Sequence, residues 1–147
     1  MRNNRSAENA PDSHRFVNHR KDTLDLHNEL LLKAPVGKRI SPSDNIVPNL
    51  NRRGVTVLNP DAQAPTITSI PDELVHYEEP RILTVREHAR IQSFPDWFEF
   101  KGKYTSGGKR RKQEVPRYTQ VGNAVPPLFA EQIGIAIWEV LSNDKSK

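Results

Sequence analysis

Two stretches of this sequence hold side chains arranged to do chemistry. The first, Gln120-Val121-Gly122-Asn123-Ala124-Val125-Pro126-Pro127, sets a Gly-Asn pair ahead of an apolar run opened by two prolines. Such a pair suits a positive backbone φ, because glycine has no Cβ and asparagine tolerates the left-handed region better than most residues. The turn could aim a backbone amide and the carboxamide at a carboxylate. A helix entrance just after it adds free amide donors and partial positive charge, worth ~0.3–1 kcal/mol to an anion. Spacing alone favours the plainer role, in which Asn123 satisfies a turn before a proline-started helix. The second stretch carries Lys101, Lys103, Lys109, Arg110, Arg111, Lys112 and Arg117 against a single acid, Glu114. Its net +6 exceeds the +4 of the whole chain, so the remaining residues sum to −2. Cations at this density neutralise phosphates and release counterions, which positions a chain on a nucleic-acid backbone without reading bases. The alternative is a solvated basic loop with Gly107-Gly108 at its tip.

Other chemistries are excluded. There is no cysteine, hence no disulfide, thiolate metal site or cysteine nucleophile within these residues. His14, His19, His27, His76 and His88 show no metal-ligand spacing, and no metal is assigned. Apolar residues at 35%, charged residues at 27% and twelve prolines suit one domain with a modest core and long irregular stretches. No apolar run approaches the length of a membrane span and no charged-then-apolar leader is present, so the expected location is cytoplasmic.

The elements that must position these groups follow from local pattern. Residues 1–14 are polar and aperiodic, and read as a disordered lead-in. Leu24, Leu26, Leu30 and Leu31 predict an amphipathic helix over 22–33, capped by Asp22 or Thr23. The Pro- and Gly-rich stretch 34–54 reads as loop. Residues 54–60 read as a short strand, and 64–71, bounded by prolines, as an edge strand or extended loop. Thr84 and Glu87 form a capping-box pair that predicts a helix over 84–94 ended by Pro95, with Leu83 fixing the entry angle. Arg86 and Glu87 read as a surface pair on this helix. Arg81 has Glu78 or Glu79 as partners, or else braces the region before it. Trp97 and Phe98 read as core packing. A terminal helix follows from about Pro127 to Leu141, apolar around much of its circumference, with Pro126 and Pro127 in its first turn.

Two of these stretches, Pro80-Arg81-Ile82-Leu83-Thr84-Val85-Arg86-Glu87 through Gly102 and Arg117-Tyr118-Thr119-Gln120 through Gly134, resemble the last two conserved motifs of the DNA (cytosine-5)-methyltransferases, in wording and in order. The likeness covers roughly residues 52–141. It implies an α/β fragment: the carboxy-terminal part of an S-adenosylmethionine-dependent, Rossmann-like methyltransferase fold, with a partial, irregular target-recognition region over 15–80 and the motifs over 81–147. Carried over by position, Gly122, Asn123 and Ala124 would be cofactor-proximal. Arg81, Thr84, Arg86 and Glu87 would be structural, and Lys101, Lys103 and Lys109 to Lys112 would face double-stranded DNA.

The family flips a cytosine from the duplex, attacks it with a cysteine and transfers a methyl group from S-adenosylmethionine. The Gly-rich cofactor loop, the Pro-Cys nucleophile, Glu-Asn-Val and Gln-x-Arg-x-Arg are missing from this sequence. The expectation is therefore a carboxy-terminal fragment or subunit, inactive alone, that needs a complementing chain carrying Pro-Cys and most of the cofactor pocket. A stand-alone DNA-binding or regulatory module and a non-functional remnant are the rival expectations.

Overall fold

Leucines at helical spacing drive the first element, and in the computed structural model the helix α1 spans Lys21–Lys33. The structure describes residues 10–48, 50, 54–104 and 115–144. Neither expected cap is used in α1. Arg20 occupies the N-cap position without a side-chain hydrogen bond, and the Asp22 carboxylate accepts from the Thr23 amide instead. After α1 come β1 (Arg39–Ile40), a 3-10 turn over Pro42–Asp44, β2 (Val55–Val57), a second 3-10 turn over Pro71–Glu73 and β3 (Leu74–Val75). Three helices close the chain: α2 (Val85–Ile91), α3 (Arg117–Asn123) and α4 (Pro127–Asp144).

The three strands form one small sheet in the order β1-β2-β3, antiparallel at the first pairing and parallel at the second. β1 and the first 3-10 turn correct the reading of 34–54 as loop throughout: ladder pairing of Arg39 with Thr56 overrides the local Pro and Gly signals. Residues 64–70 join no ladder. The alternation in β2 exposes no face, since Val55, Thr56 and Val57 are all buried. One core gathers Leu30, Ile40, Val55, Val57 and Val75 between α1 and the sheet. The other gathers Ile82, Val85, Ala89, Phe100, Tyr118 and Val121 around α2 and α3. Among the described residues the architecture is thus mixed α/β with a three-stranded sheet.

α2 is the hinge of the second core. Thr84 Oγ1 accepts from the Glu87 amide at 3.1 Å, and the Glu87 carboxylate accepts from the Thr84 amide at 2.7 Å, the reciprocal cap expected from the spacing. The helix ends before Pro95. Ser93 adopts a left-handed φ of 63°, and the amides of Phe94 and Ser93 reach back to the carbonyls of Ala89 and Arg90 at 2.8 and 3.0 Å. This is the two-bond closure that usually employs glycine.

Arg86 and Glu87 are not a surface pair. Arg86 is fully buried, and its guanidinium donates to the carbonyls of Asp12 at 2.7 Å, Pro95 at 3.0 Å and Phe98. Glu87 accepts a two-pronged pair from Arg81 at 2.8 and 3.0 Å, and Arg81 also pairs with Glu79. Burial opposes ionisation of Glu87, but Arg81 and the Thr84 amide outweigh it and draw the carboxyl down to about 2. Residues 12–14, placed in the lead-in by composition, are held as well: Ser13 is buried with a φ of 68°, and its carbonyl accepts from the Arg86 amide.

Two predictions follow from this hinge. Arg86→Ala leaves three carbonyls short of a donor beside a new cavity and should lower stability by about 3–5 kcal/mol, read from urea unfolding. Arg90→Ala, which breaks only the half-exposed pair with Asp96, should change it by about 0.5 kcal/mol or less. For Glu87 the folded value near 2 lies below the ordinary 4.5, so the folded chain binds fewer protons between those limits. Its stabilisation is complete above pH 4.5, of the order of 3 kcal/mol, and is lost as pH falls toward 2. Glu87→Gln should flatten the stability profile in that window, measured as unfolding midpoint against pH.

Candidate functional site

Gly122 and Asn123 do not form the left-handed turn that their types suggest. Both belong to α3, as its last two residues, and neither is among the described residues of positive φ. Glycine is required at 122 for a different reason. A Cβ placed there would lie 2.4 Å from the Thr68 carbonyl and 2.5 Å from the Ser69 amide nitrogen. The helix therefore presses against the extended segment 64–70 at a distance that only glycine allows. Tyr118 fixes the other side of α3: its hydroxyl donates to the Leu83 carbonyl at 2.9 Å, and burial pushes its phenol pKa up.

Beside this contact lies a cleft of about 450 Å³, walled by Pro65, Thr66 and Ile67 from the extended segment, Gln92 from the end of α2, and Gly122 and Ala124 from the end of α3. Gln92 Nε2 donates to the Val121 carbonyl at 3.4 Å, tying the two helix ends together at the cleft. Asn123 is exposed and does not line the cleft, although its neighbours Gly122 and Ala124 do. The helix entrance that follows offers less to an anion than the sequence implies. Pro126 and Pro127 carry no N–H, and the Leu128 amide is already donated to Ser93 Oγ at 3.2 Å. The Phe129 amide remains.

The basic stretch divides. Lys109, Arg110, Arg111 and Lys112 lie outside the described residues. Lys101 is exposed and paired with Glu99. The Lys103 carbonyl accepts from the Arg117 amide at 3.0 Å, and the Lys101 carbonyl from Gln120 Nε2 at 2.7 Å. Arg117 is not a free cation. Its guanidinium binds Asp12 at 3.0 Å, the Tyr104 hydroxyl at 3.0 Å and the Gly102 carbonyl at 2.8 Å. Asp12 also accepts from the Phe100 amide at 3.0 Å. Burial works against its charge, and the bonds from Ser13, Phe100 and Arg117 more than reverse that, lowering its pKa. One acid from the amino-terminal segment thus holds both feet of the basic stretch. Sequence reasoning missed Asp12, Gln92, Ser93 and Thr68 because each acts through a contact distant in sequence. Trp97, expected in the core, is 79% exposed.

α4 carries no buried side chain among the described residues. Phe129, Ile137, Trp138, Val140 and Leu141 are each more than half exposed. By length and composition the segment Arg117–Asn143 is apolar enough to cross a membrane, against the expectation from sequence that no run approached this. Glu131 and Glu139 are spaced along it.

Comparison with known proteins supplies context for this arrangement. The family described as C-5 cytosine-specific DNA methylase matches residues 3–139, well beyond the span 52–141 on which the resemblance first rested. The Type II methyltransferase M.AquIB of Picosynechococcus sp. is 38% identical over 132 residues, 88% of either chain. Two others align differently. M.BbvI of Brevibacillus brevis is 36% identical over 130 residues, and M1.HphI of Haemophilus parahaemolyticus 40% identical over 84. The chain spans only 31% and 20% of their lengths.

The Gly122 contact generates a direct test. Gly122→Ala forces a methyl group into backbone, not into a flexible side chain, and should destabilise the fold by about 1–3 kcal/mol. Helix propensity alone would make the same change favourable. Thermal unfolding of the variant against Gly134→Ala, where the added Cβ meets nothing within 4 Å, separates the two effects.

Proposed function

The chain belongs to the C-5 cytosine-specific DNA methylase family, and we propose that it supplies one wall of the S-adenosylmethionine pocket and a phosphate-contacting loop to a DNA (cytosine-5)-methyltransferase whose nucleophile lies in polypeptide outside these 147 residues. The observation that carries this reading is α4: a long apolar helix, bare along its length, that follows the cofactor-proximal residues after two intervening positions. Removing a Val, Leu, Ile or Phe side chain from water is worth about 1.5–3 kcal/mol each. A helix that exposes Leu128, Phe129, Ile133, Ile137, Val140 and Leu141 has a strong drive to be covered.

The residues at the cleft suit the cofactor as one wall. Exposed Asn123 presents a carboxamide, which can donate to a carboxylate and accept from an ammonium group, and the methionine end of the cofactor has both. Gly122 and Ala124, its neighbours in sequence, line the cleft with little side chain between them. S-adenosylmethionine, when bound, supplies the methyl group that is transferred. In this reading Asn123 orients it, Gln92 holds the ends of α2 and α3 in register, and the complementing polypeptide provides the Rossmann-like sheet, the remaining pocket and the thiolate. The cationic residues Lys101, Lys103 and Lys109 to Lys112 fit contact with DNA phosphates, and the Asp12–Arg117 clamp keeps their chain anchored at both ends.

Chain lengths support division of the enzyme at this point. M.AquIB, of which 132 residues are 88%, is itself about 150 residues long. M.BbvI, of which 130 residues are 31%, is more than twice that. The test is reconstitution. The polypeptide encoded directly upstream of residue 1, in the same or a neighbouring reading frame, should carry Pro-Cys and should methylate DNA only when joined or mixed with this chain. Asn123→Ala should then raise the KM for S-adenosylmethionine about tenfold, equivalent to one hydrogen bond to a charged group. Methyl transfer by the 147 residues alone, or an upstream sequence without Pro-Cys, overturns the proposal.

A further inference from the structure

Arg15 presents a cation where the basic stretch leaves the folded body, although it belongs to the opposite end of the sequence. Its guanidinium carbon lies 5.5 Å from the centre of the Tyr104 ring, and that of Arg117 lies 4.4 Å from the same centre. Tyr104 follows Lys103 and is the last described residue before Val115. The two arginines are spent differently. The Arg117 side chain is only 15% exposed and commits its Nε and Nη1 to Gly102, Asp12, Ser13 and Tyr104. Arg15 is exposed, and among the described residues no acid pairs with it. A guanidinium held over an aromatic ring keeps its N–H donors for another acceptor.

Arg15 is also held in place. It opens the exposed run 15–18, which is fastened at both ends. On one side the Ser13 carbonyl accepts from the Arg86 amide at 3.1 Å, and His14 Nδ1 lies 3.2 Å from Thr84 Oγ1. On the other, His19 Nε2 accepts from the Ile82 amide at 3.3 Å. Nearby acids are already matched: Asp12 by Arg117 and the Phe100 amide, Glu99 by Lys101. Arg15 therefore adds positive charge that the described residues leave uncompensated, at the root of a cation-rich stretch.

We infer that Arg15 is a DNA-phosphate contact, carried by the amino-terminal segment and set on Tyr104 beside the basic stretch, while Asp12 withholds Arg117 from DNA. This rests on the DNA-binding role given under Proposed function and adds a residue from outside the basic stretch. A duplex suits the site better than an acidic patch on a protein. Its phosphates repeat along a backbone, which fits cations gathered from residues 15 and 101–103, and the planar guanidinium fork matches paired phosphate oxygens. Such a contact positions the chain without reading bases.

The test is binding of a fluorescein-labelled duplex of arbitrary sequence by this chain together with the upstream Pro-Cys polypeptide, read by anisotropy over a series of salt concentrations. Arg15→Gln should reduce the slope of log affinity against log salt by about 0.9, the share of one phosphate on B-DNA, which is about eightfold in affinity at ~0.1 M salt. Arg15→Lys should keep the slope. Arg20→Gln, which removes an exposed cation of the same segment that pairs with Asp22 at 3.4 Å, should change neither slope nor affinity. If Arg15→Gln also lowers the urea midpoint, Arg15→Lys decides: a retained slope supports the contact, and a slope reduced as in Arg15→Gln refutes it. An unaltered slope in Arg15→Gln, or an equal loss in Arg20→Gln, overturns the assignment and leaves the proposed function standing. So does weaker assembly of Arg15→Gln with the upstream polypeptide in the absence of DNA, which puts Arg15 at a protein interface. Wild-type protein that binds no duplex overturns both.

Discussion

The folded body turns on one buried cation. Arg86 has no exposed surface, yet its guanidinium reaches three backbone carbonyls, those of Asp12, Pro95 and Phe98, with the Asp12 carboxylate 3.9 Å away and the Phe100 ring beneath. A buried charge is tolerated only when its donors are satisfied, and here the acceptors come from three parts of the chain. Without the Arg86 side chain the segment before α1 would keep the backbone bond at Ser13 and the His14–Thr84 contact but lose its tie at Asp12 to α2, and the turn after α2 would lose the donor to its Pro95 and Phe98 carbonyls. Asp12 then extends the arrangement to Phe100 and Arg117, so that one continuous set of bonds runs from the amino-terminal segment through α2 to the start of α3. Among the described residues every buried side-chain nitrogen or oxygen has a partner.

Beside this satisfied body stands a helix with the opposite character. α2 and α3 bury their apolar faces in a shared core; α4, which continues the same chain, buries nothing. Sequence composition does not account for the difference, because all three helices carry apolar residues at helical spacing. The sheet supplies the reason. Three short strands are already covered by α1 on one side and by the α2–α3 core on the other, and no open sheet surface is left to receive eighteen further helical residues. α4 is thus an apolar helix that packs on no surface among the described residues, a large exposed apolar face of the kind that protein contacts usually cover.

What could be read from sequence was what is local. The Thr84–Glu87 cap is an i,i+3 device, so its letters identify it. The terminal helix announced itself by periodicity and by its prolines, and its apolar breadth was visible before any coordinates. Arg86 was misread because a charged residue next to Glu87, within an amphipathic pattern, looks solvated; its acceptors lie 74, 9 and 12 positions away. Gly122 was recognised as special for the wrong reason. Its type signalled either freedom of φ or closeness of approach, and only the position of Thr68, more than fifty residues earlier, decides between them. β1 and Asp12 left no local signal at all, since ladder pairing and ion pairing across the chain do not depend on neighbouring residues.

Function then depends on how the satisfied part controls the unsatisfied one. Ser93 sits where glycine would be less strained, in the left-handed closure of α2, and the hydroxyl that glycine lacks accepts from the first free amide of α4. Gln92, the residue before it, holds the Val121 carbonyl of α3. Two adjacent side chains at the end of α2 thus fix the end of one helix and the start of the next, and Asn123 is the last residue of the first of them, just before the short connection 124–126. The Ser93 hydroxyl ties the first amide of α4 to the end of α2, and Gln92 ties the same end to α3. Asn123 therefore has little freedom of its own. A residue on a loop would have to be ordered by whatever it meets, at an entropic cost, whereas the backbone of Asn123 is already held as the last residue of α3.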